Sequence, residues 1–444
     1  MKKLTVLLGL SVIVFSSAAA AQVSEEEVQA LRQQIAALTA RLDQLEEQSA
    51  QAAPAPAPAA SEETVAKVEE MDQDLEDVKQ SVAAMSWAEK LKWKGDFRYR
   101  YENIDKEGSD GRNRSRIRAR TSLVAAVSDT LEVGVGLATG GDDPVSSNQT
   151  IGGGGSSKDI KIDLAYFNWA GLNNTNIIGG KYSNFLVRPA KKGLRWDGDW
   201  RPEGLGAVWN NGSFFVQGLG TWLEGDSNKG TEFAWVVQAG MNMAFDNGSK
   251  LKFGAGYSVF DIAGGTPLYG DPDDFYGNSF VCDEGYPLIG ECHFKYDYRN
   301  LEAFAEYAFK LGGQSVALFG NYTVNTEADE NDTGWLVGAK YGSVKDKGDW
   351  DFTYFYEHLE ADATVGLLSD SDFGGGGTDA KGHVLSATYA FHPAWSFKAT
   401  YFINTVDLAE GKDLDYDRLM LDLSLIHISE PTRQLASSRM PSSA

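Results

Sequence analysis

Five arginines occupy every second position of one short segment, and this spacing constrains how the segment can fold. They are Arg112, Arg114, Arg116, Arg118 and Arg120. Successive side chains of a β-strand point to opposite faces, so a strand places all five guanidinium groups together, whereas a helix scatters them around its axis. The segment is therefore predicted to be a β-strand with one strongly basic face.

The preceding segment alternates in the same way. From residue 93 to residue 102, aromatic residues and glycine alternate with charged residues, among them Arg98 and Arg100. A lipid-facing arginine at the bilayer midplane costs roughly 2–4 kcal/mol in a barrel, so the arginines of both segments are predicted to line a water-filled pore. The alternative is a soluble β-protein whose arginines pair with carboxylates of a neighbouring strand.

Alternation with a period of two runs from residue 91 to residue 425 and divides into sixteen candidate strands. Short turns mostly alternate with long polar loops. The long loops are predicted at 140–158, 188–203, 262–298 and 363–380. Because outer-membrane barrels combine short periplasmic turns with long external loops, the predicted fold is an all-β transmembrane barrel of about 16 antiparallel strands, preceded by α-helical coiled-coil segments.

The segments before and after the barrel have their own patterns. Residues 1–21 have the charged start, short apolar stretch and Ala-x-Ala site of a signal peptide. Heptad spacing predicts periplasmic coiled-coil segments at 22–50 and 64–88, joined by an Ala/Pro linker at 51–63. The narrow apolar seams predict a homotrimer, with a helical hairpin within one chain as the alternative. Residues 426–444 resemble sequencing-adapter read-through and are predicted to be an artefactual or disordered tail.

Two cysteines, Cys282 and Cys292, lie in a Gly/Pro/Asp-rich stretch. In an exported protein such a pair predicts a disulfide, and metal binding is the weaker alternative. No metal site and no cofactor are predicted. The net charge of −23 argues against a nucleic-acid partner. The sequence has no catalytic motif in a suitable context, so an enzyme is not predicted.

Several segments resemble the putative porin family of Gram-negative outer membranes. They are WKGDFRYRYE (93–102), the arginine run, IDLAYFNW (162–169) and GLRWDGDWRPEG (193–204). The resemblance covers roughly residues 1–422. It implies a third external loop that folds inward and narrows the pore, with an ordinary external loop as the alternative. The charged residues of this predicted constriction loop are Arg188, Lys191, Lys192, Arg195, Asp197, Asp199 and Arg201.

The predicted function is passive diffusion of small hydrophilic solutes and ions. The charges at the narrowest point of a pore set its selectivity, and acids of the loop are expected to face arginines of the wall across the lumen. Outer-membrane lipids and lipopolysaccharide are the expected surroundings. The alternative function is an anchor that tethers the outer membrane to the cell wall, with peptidoglycan bound through the coiled coil.

Overall fold

The computed structural model describes residue 40 and residues 73–76, 90–225, 232–288 and 290–428. Residue 40 and residues 73–76 are helical. The predicted signal peptide and linker, and nearly all of the predicted coiled-coil segments and tail, lie outside the described residues and stay predictions. Within the described residues, no helix is long and apolar enough to cross a membrane.

Nineteen strands are present among the described residues. They are β1 Leu91–Lys106, β2 Arg112–Ser128, β3 Leu131–Thr139, β4 Gln149–Thr150, β5 Ile160–Leu172, β6 Thr175–Lys181, β7 Glu203–Asn210, β8 Phe214–Glu224, β9 Glu232–Ala244, β10 Lys250–Phe260, β11 Phe280–Cys282, β12 Cys292–Phe294, β13 Tyr298–Leu311, β14 Gln314–Asn325, β15 Thr333–Gly342, β16 Trp350–Leu359, β17 Ala380–His392, β18 Trp395–Val406 and β19 Leu414–Ile428.

Three of these strands, β4, β11 and β12, are short and lie in loops. The other sixteen pair antiparallel with their neighbours, and β1 pairs with both β2 and β19, which closes the sheet into a barrel. The predicted antiparallel barrel of sixteen strands is therefore confirmed. The last strand reaches Ile428, beyond the predicted end at Leu425.

Side chains alternate between the outside and the inside of the barrel. On β1, Trp93, Phe97 and Tyr99 are exposed on the outer face, whereas Arg100 and Glu102 are buried on the inner face. Exposed aromatic and aliphatic side chains continue on the outer faces of the other barrel strands. An apolar exterior of this extent matches the lipid-facing band of a membrane barrel.

The connections at the two ends of the barrel differ in length. One end carries turns as short as 129–130 and 393–394, and the other carries loop 2 (140–159), loop 3 (182–202), loop 5 (261–297) and loop 7 (360–379). By the rule for outer-membrane barrels the long-loop end is external. Loop 3 begins earlier than predicted because β6 ends at Lys181.

Loops 3, 5 and 7 fold into the barrel and fill part of its lumen with apolar packing. Trp196 and Trp200 of loop 3 stack with ring centroids 5.3 Å apart, and Trp196 packs against Phe260 of β10. In a second buried cluster, Leu194 of loop 3 and Phe373 of loop 7 pack against the inner faces of β14 to β19. Loop 5 also carries the β11/β12 hairpin, which the Cys282–Cys292 disulfide closes.

Candidate functional site

The predicted pore-lining arginines lie on the inner faces of β1 and β2. Arg112 is exposed at the external end, and the other six, from Arg98 to Arg120, are half-buried or buried. Period-two alternation puts them on one face, and pairing of β1 with β2 places the two rows side by side, with Arg98 opposite Arg118. Six guanidinium groups in one wall need nearby carboxylates, and the structure supplies these in two clusters.

The upper cluster surrounds Glu102, whose side chain is fully buried. Its carboxylate lies 2.8 Å from Arg418 of β19, 3.6 Å from Arg100 and 3.7 Å from Arg116. It also accepts a hydrogen bond from Arg114. One carboxylate is therefore shared by four guanidinium groups.

Two further acids complete the upper cluster. Asp372 of loop 7 lies 3.0 Å from Arg100 and 2.9 Å from Arg418. Asp422 of β19 lies 2.6 Å from Arg100 and 3.9 Å from Arg98. The external half of the arginine wall is therefore bound to loop 7 and β19.

The lower cluster joins the arginine wall to loop 3. Arg118 lies 2.8 Å from Asp96 and 3.1 Å from Asp199, and Arg120 lies 2.7 Å and 2.8 Å from the same two carboxylates. Burial alone would raise the pKa of Asp199, but the charges of Arg118 and Arg120 outweigh burial and lower that pKa. Asp199 thus contacts the arginines directly, whereas the sequence predicted that it faces them across an open lumen.

Arg195 attaches loop 3 to the diametrically opposite wall. Its side chain is fully buried, and its guanidinium lies 3.4 Å from the carboxylate of Glu302 on β13. The guanidinium also donates a hydrogen bond to the hydroxyl of Ser258 on β10 at 2.5 Å. In the closed order of sixteen strands, β10 and β13 stand half a turn away from β1 and β2. Loop 3 therefore spans the lumen, with Arg195 at one end of the span and Asp199 at the other.

The remaining residues of the predicted constriction loop are dispersed. Arg188 donates to the carbonyl of Trp196 at 3.4 Å, and Lys191 is exposed. Lys192 lies over the ring of Phe355, with Nζ 4.8 Å from the centroid, and burial lowers the pKa of Lys192 to about 8. Lys191 and Lys192 do not share a site with Asp199, whereas the guanidinium of Arg188 lies beside Gly198 and interacts with the charges of Asp197 and Asp199.

Asp197 connects loop 3 to loop 7. One oxygen of its carboxyl group accepts a hydrogen bond from the backbone N–H of Ser371 at 2.9 Å. The other oxygen accepts a hydrogen bond from the backbone N–H of Asp199 at 2.6 Å. Burial, with the charges of Asp370 and Asp199 added, raises the pKa of Asp197 to about 8. The carboxyl of Asp197 therefore holds two loops together rather than lining an open pore.

Arg201, the last predicted loop residue, pairs with Asp163 on the inner face of β5 at 3.2 Å. A cavity of about 390 Å³ lies on the short-turn side of this pair and is lined by Lys94, Ser183 and Ser424 among others. A second cavity of about 620 Å³ lies on the external side, against loop 2 and the external ends of β5 and β6. Both cavities are lined by Asp163 and Arg201, so the two spaces meet at this ion pair.

The arrangement can attract, hold and exchange small ions, because charged side chains line both cavities. Among the described residues, no group of His, Cys, Asp and Glu is arranged to hold a metal ion.

The geometry can be compared with known proteins. The model of the putative porin family matches residues 104–268 and 293–425. The chain belongs to this family. No match is found among curated proteins.

The chain is also similar to several solved structures. The high-pH structure of OprB from Pseudomonas putida has a TM-score of 0.50 at 14% identity, over 77% of this chain and 95% of OprB. OmpT from Vibrio cholerae, in its trimer form, has a TM-score of 0.46 at 14% identity, over 76% and 99% of the two chains. Salmonella typhi OmpF in complex with daunomycin has a TM-score of 0.46 at 13% identity, over 77% and 99%. The likeness to OprB shows the fold, and family and fold together place this porin barrel in the outer membrane.

Sequence reasoning missed several charged residues of the site. Arg418 and Asp422 share the inner face of β19, and the period-two pattern around Leu419 and Leu421 could have identified them. Asp163 lies in the IDLAYFNW segment that carries the family resemblance. No local pattern marks Asp372, because it lies in a loop whose path depends on the packing of the whole lumen.

Proposed function

We propose that the barrel is a diffusion channel of the outer membrane for small hydrophilic solutes and ions. The observation that carries this proposal is the pair of cavities that meet at Asp163 and Arg201, one on the external side and one on the periplasmic side. In this account the path runs beside the arginine wall and not through the centre of the barrel, because loops 3, 5 and 7 pack into the rest of the lumen.

The path continues outward from the external cavity. A third cavity, of about 510 Å³, shares Asp142, Lys181 and Glu203 with it and extends to Leu268 and Tyr269 of loop 5. On the periplasmic side, Lys94 and Ser424 lie near the start of β1 and the end of β19, at the end of the barrel that carries the short turns. The three cavities together supply a polar route along the barrel axis.

The size and charge of this route determine which solutes pass. Loop 3 shapes its narrowest part, since Asp199 and Arg201 both line the external cavity and Asp199 is fixed to the arginine wall. Charged side chains at a constriction select ions by sign. We propose that Asp163, Arg201 and the lower arginines, Arg118 and Arg120, set this selectivity, whereas Arg114 and Arg116 mainly stabilise the upper cluster.

We propose that three copies associate through the wall formed by β3 to β7. Its strands β6 and β7 are short, and its outer face near the external end is aliphatic where other strands carry aromatic residues. Leu137, Ile160, Ile162 and Leu205 are exposed by 42%, 66%, 61% and 58% on this face. A wall that is aliphatic at its external end, where a lipid-facing barrel carries an aromatic girdle, suits protein contact better than a lipid interface.

An anchor that tethers the outer membrane to the cell wall is the second candidate. The apolar packing of three loops into the lumen favours it, because a filled barrel suits an anchor. In that account the predicted coiled coil binds peptidoglycan and the barrel does not conduct.

Purified protein in a planar lipid bilayer under a KCl gradient distinguishes the two candidates. The channel account predicts steady conductance steps, in groups of three for a trimer, and a reversal potential whose sign reports ion selectivity. A matched variant without residues 22–88 is expected to conduct equally well. Insertion without conductance, together with cosedimentation with peptidoglycan that this variant loses, would instead establish the anchor.

A further inference from the structure

The two cavities that meet at the Asp163–Arg201 pair carry opposite net charge. Five carboxylates and three cations line the external cavity, a net charge of −2. The carboxylates are Asp142, Asp143, Asp163, Asp199 and Glu203. Four cations and two carboxylates line the periplasmic cavity, a net charge of +2. The cations are Lys94, Arg118, Arg120 and Arg201.

The opposite charges of the two cavities do not depend on which cavity the shared Asp163–Arg201 pair is counted with. Asp163 and Arg201 line both cavities and cancel, so the same net charges remain when the pair is left out. The third cavity, which continues the route outward, is also acidic, with three carboxylates against two cations. The polarity therefore changes sign once along the route, at the Asp163–Arg201 pair.

A charged cavity with low-dielectric walls enriches mobile ions of the opposite sign. The field of a fixed charge extends about one Debye length, roughly 10 Å at 0.1 M salt. A sphere with the volume of the external cavity, about 620 Å³, is comparably wide. At this salt concentration cations are therefore the main mobile ions of the external cavity, and anions those of the periplasmic cavity.

We propose that the Asp163–Arg201 pair is the junction of a bipolar pore, which makes ion flow through this channel depend on the direction of the voltage. The inference rests on the proposed channel function. When the external side is positive, the voltage drives cations through the acidic cavity and anions through the basic cavity toward the junction. Both kinds of ion accumulate there and the conductance rises. The opposite voltage drains both cavities and lowers the conductance.

The test is the current through single channels of known orientation, in symmetric KCl, at equal voltages of either sign. An Asp329→Cys variant, labelled with biotin at this exposed position of the loop between β14 and β15, allows streptavidin in one chamber to report which side is external. At 0.1 M KCl we expect the current to be about twofold larger with the external side positive. At 1 M KCl the Debye length falls to about 3 Å, and the two currents are expected to become equal.

A charge variant and a matched control locate the cause. Asp142→Asn with Glu203→Gln brings the external cavity to neutrality, and both side chains are largely exposed, at 76% and 60%, so the fold is expected to persist. This double variant is expected to lose the difference between the two currents. Asp110→Asn with Glu284→Gln makes the same charge change at exposed external positions outside the three cavities and is expected to retain this difference.

Each outcome has one meaning. Currents of equal size at 0.1 M KCl, a larger current with the external side negative, or loss of the difference in the control variant overturns the bipolar junction and leaves the channel function intact. Absence of any conductance overturns the channel function itself.

Discussion

The attachment of loop 3 to the wall opposite the arginines yields a quantitative prediction. Arg195 and Glu302 form an ion pair whose side chains are both fully buried. Removing one partner of such a pair leaves a buried charge and costs about 3–5 kcal/mol. After Arg195→Met, the carboxylate of Glu302 still accepts hydrogen bonds from Gln238 at 2.9 Å and Asn321 at 3.0 Å. We therefore expect a cost at the lower end of this range. The expected loss in free energy of unfolding is about 3 kcal/mol.

The double variant Arg195→Met with Glu302→Gln removes both charges and retains the side-chain volumes. Replacing both members of a buried pair is often close to neutral, so we expect a loss of about 1 kcal/mol or less. The double variant is therefore expected to be about 2 kcal/mol more stable than Arg195→Met alone. Arg299→Met supplies a matched control, because Arg299 pairs with Glu327 at 3.1 Å on the surface, where such pairs contribute about 0–1 kcal/mol.

The assay is urea unfolding of the barrel in lipid vesicles, followed by tryptophan fluorescence. Trp196 and Trp200 lie in loop 3, so their emission also reports whether the loop remains packed. Single-channel recordings of the same variants are expected to show added current noise for Arg195→Met and little for the double variant. Equal destabilisation by the single and double variants would refute the reasoning, because the pair would then not hold the loop.

Three further predictions concern other parts of the site. Asp163→Asn is expected to shift the reversal potential toward anion selectivity, and Arg201→Gln is expected to shift it toward cation selectivity, because each variant leaves one charge of the junction unpaired. Equal reversal potentials in both variants would place the narrowest point of the pore elsewhere. Burial and the charges of Asp370 and Asp199 raise the pKa of Asp197 to about 8, which favours the neutral carboxyl in the folded protein. The contact between loops 3 and 7 is therefore expected to be strongest below about pH 4, the ordinary pKa, and to weaken as the pH rises from there to about 8. Recordings of current noise at roughly pH 5 and pH 9 test this shift, and Asp197→Asn is expected to abolish the difference. Reduction of the Cys282–Cys292 disulfide, whose loop closure contributes about 2–4 kcal/mol, is expected to make loop 5 cleavable by protease while the barrel keeps its migration on unheated gels.

Much of the barrel could be predicted from the sequence because its side chains obey a strict local rule. A period of two fixes the face on which Trp93 or Arg118 lies, and a charge facing lipid costs enough to orient that face. Strand number followed from the same pattern together with the alternation of loop lengths. The end of β6 was placed too late, because loop 3 leaves the wall at a point that depends on packing inside the lumen.

The internal arrangement of the loops could not be predicted, since no period applies within them. The charges of loop 3 were expected to act together at a constriction, yet Arg195 and Asp199 reach opposite walls. The partner of Arg100 and Arg418 in loop 7 is Asp372, which lies far from both in sequence. Such contacts depend on which strands become neighbours when the barrel closes, and a single strand's sequence carries no information about that.

The central claim is that ions pass through the cavities beside the arginine wall. Ser183 is exposed in the periplasmic cavity, and both native cysteines are joined in the disulfide, so Ser183→Cys introduces a single reactive thiol. A bulky, membrane-impermeant thiol reagent is expected to reduce the single-channel current of this variant. The control variant Ser109→Cys, at an exposed position of the loop between β1 and β2, is expected to be unaffected. Full labelling of Ser183→Cys with unchanged current would contradict the account.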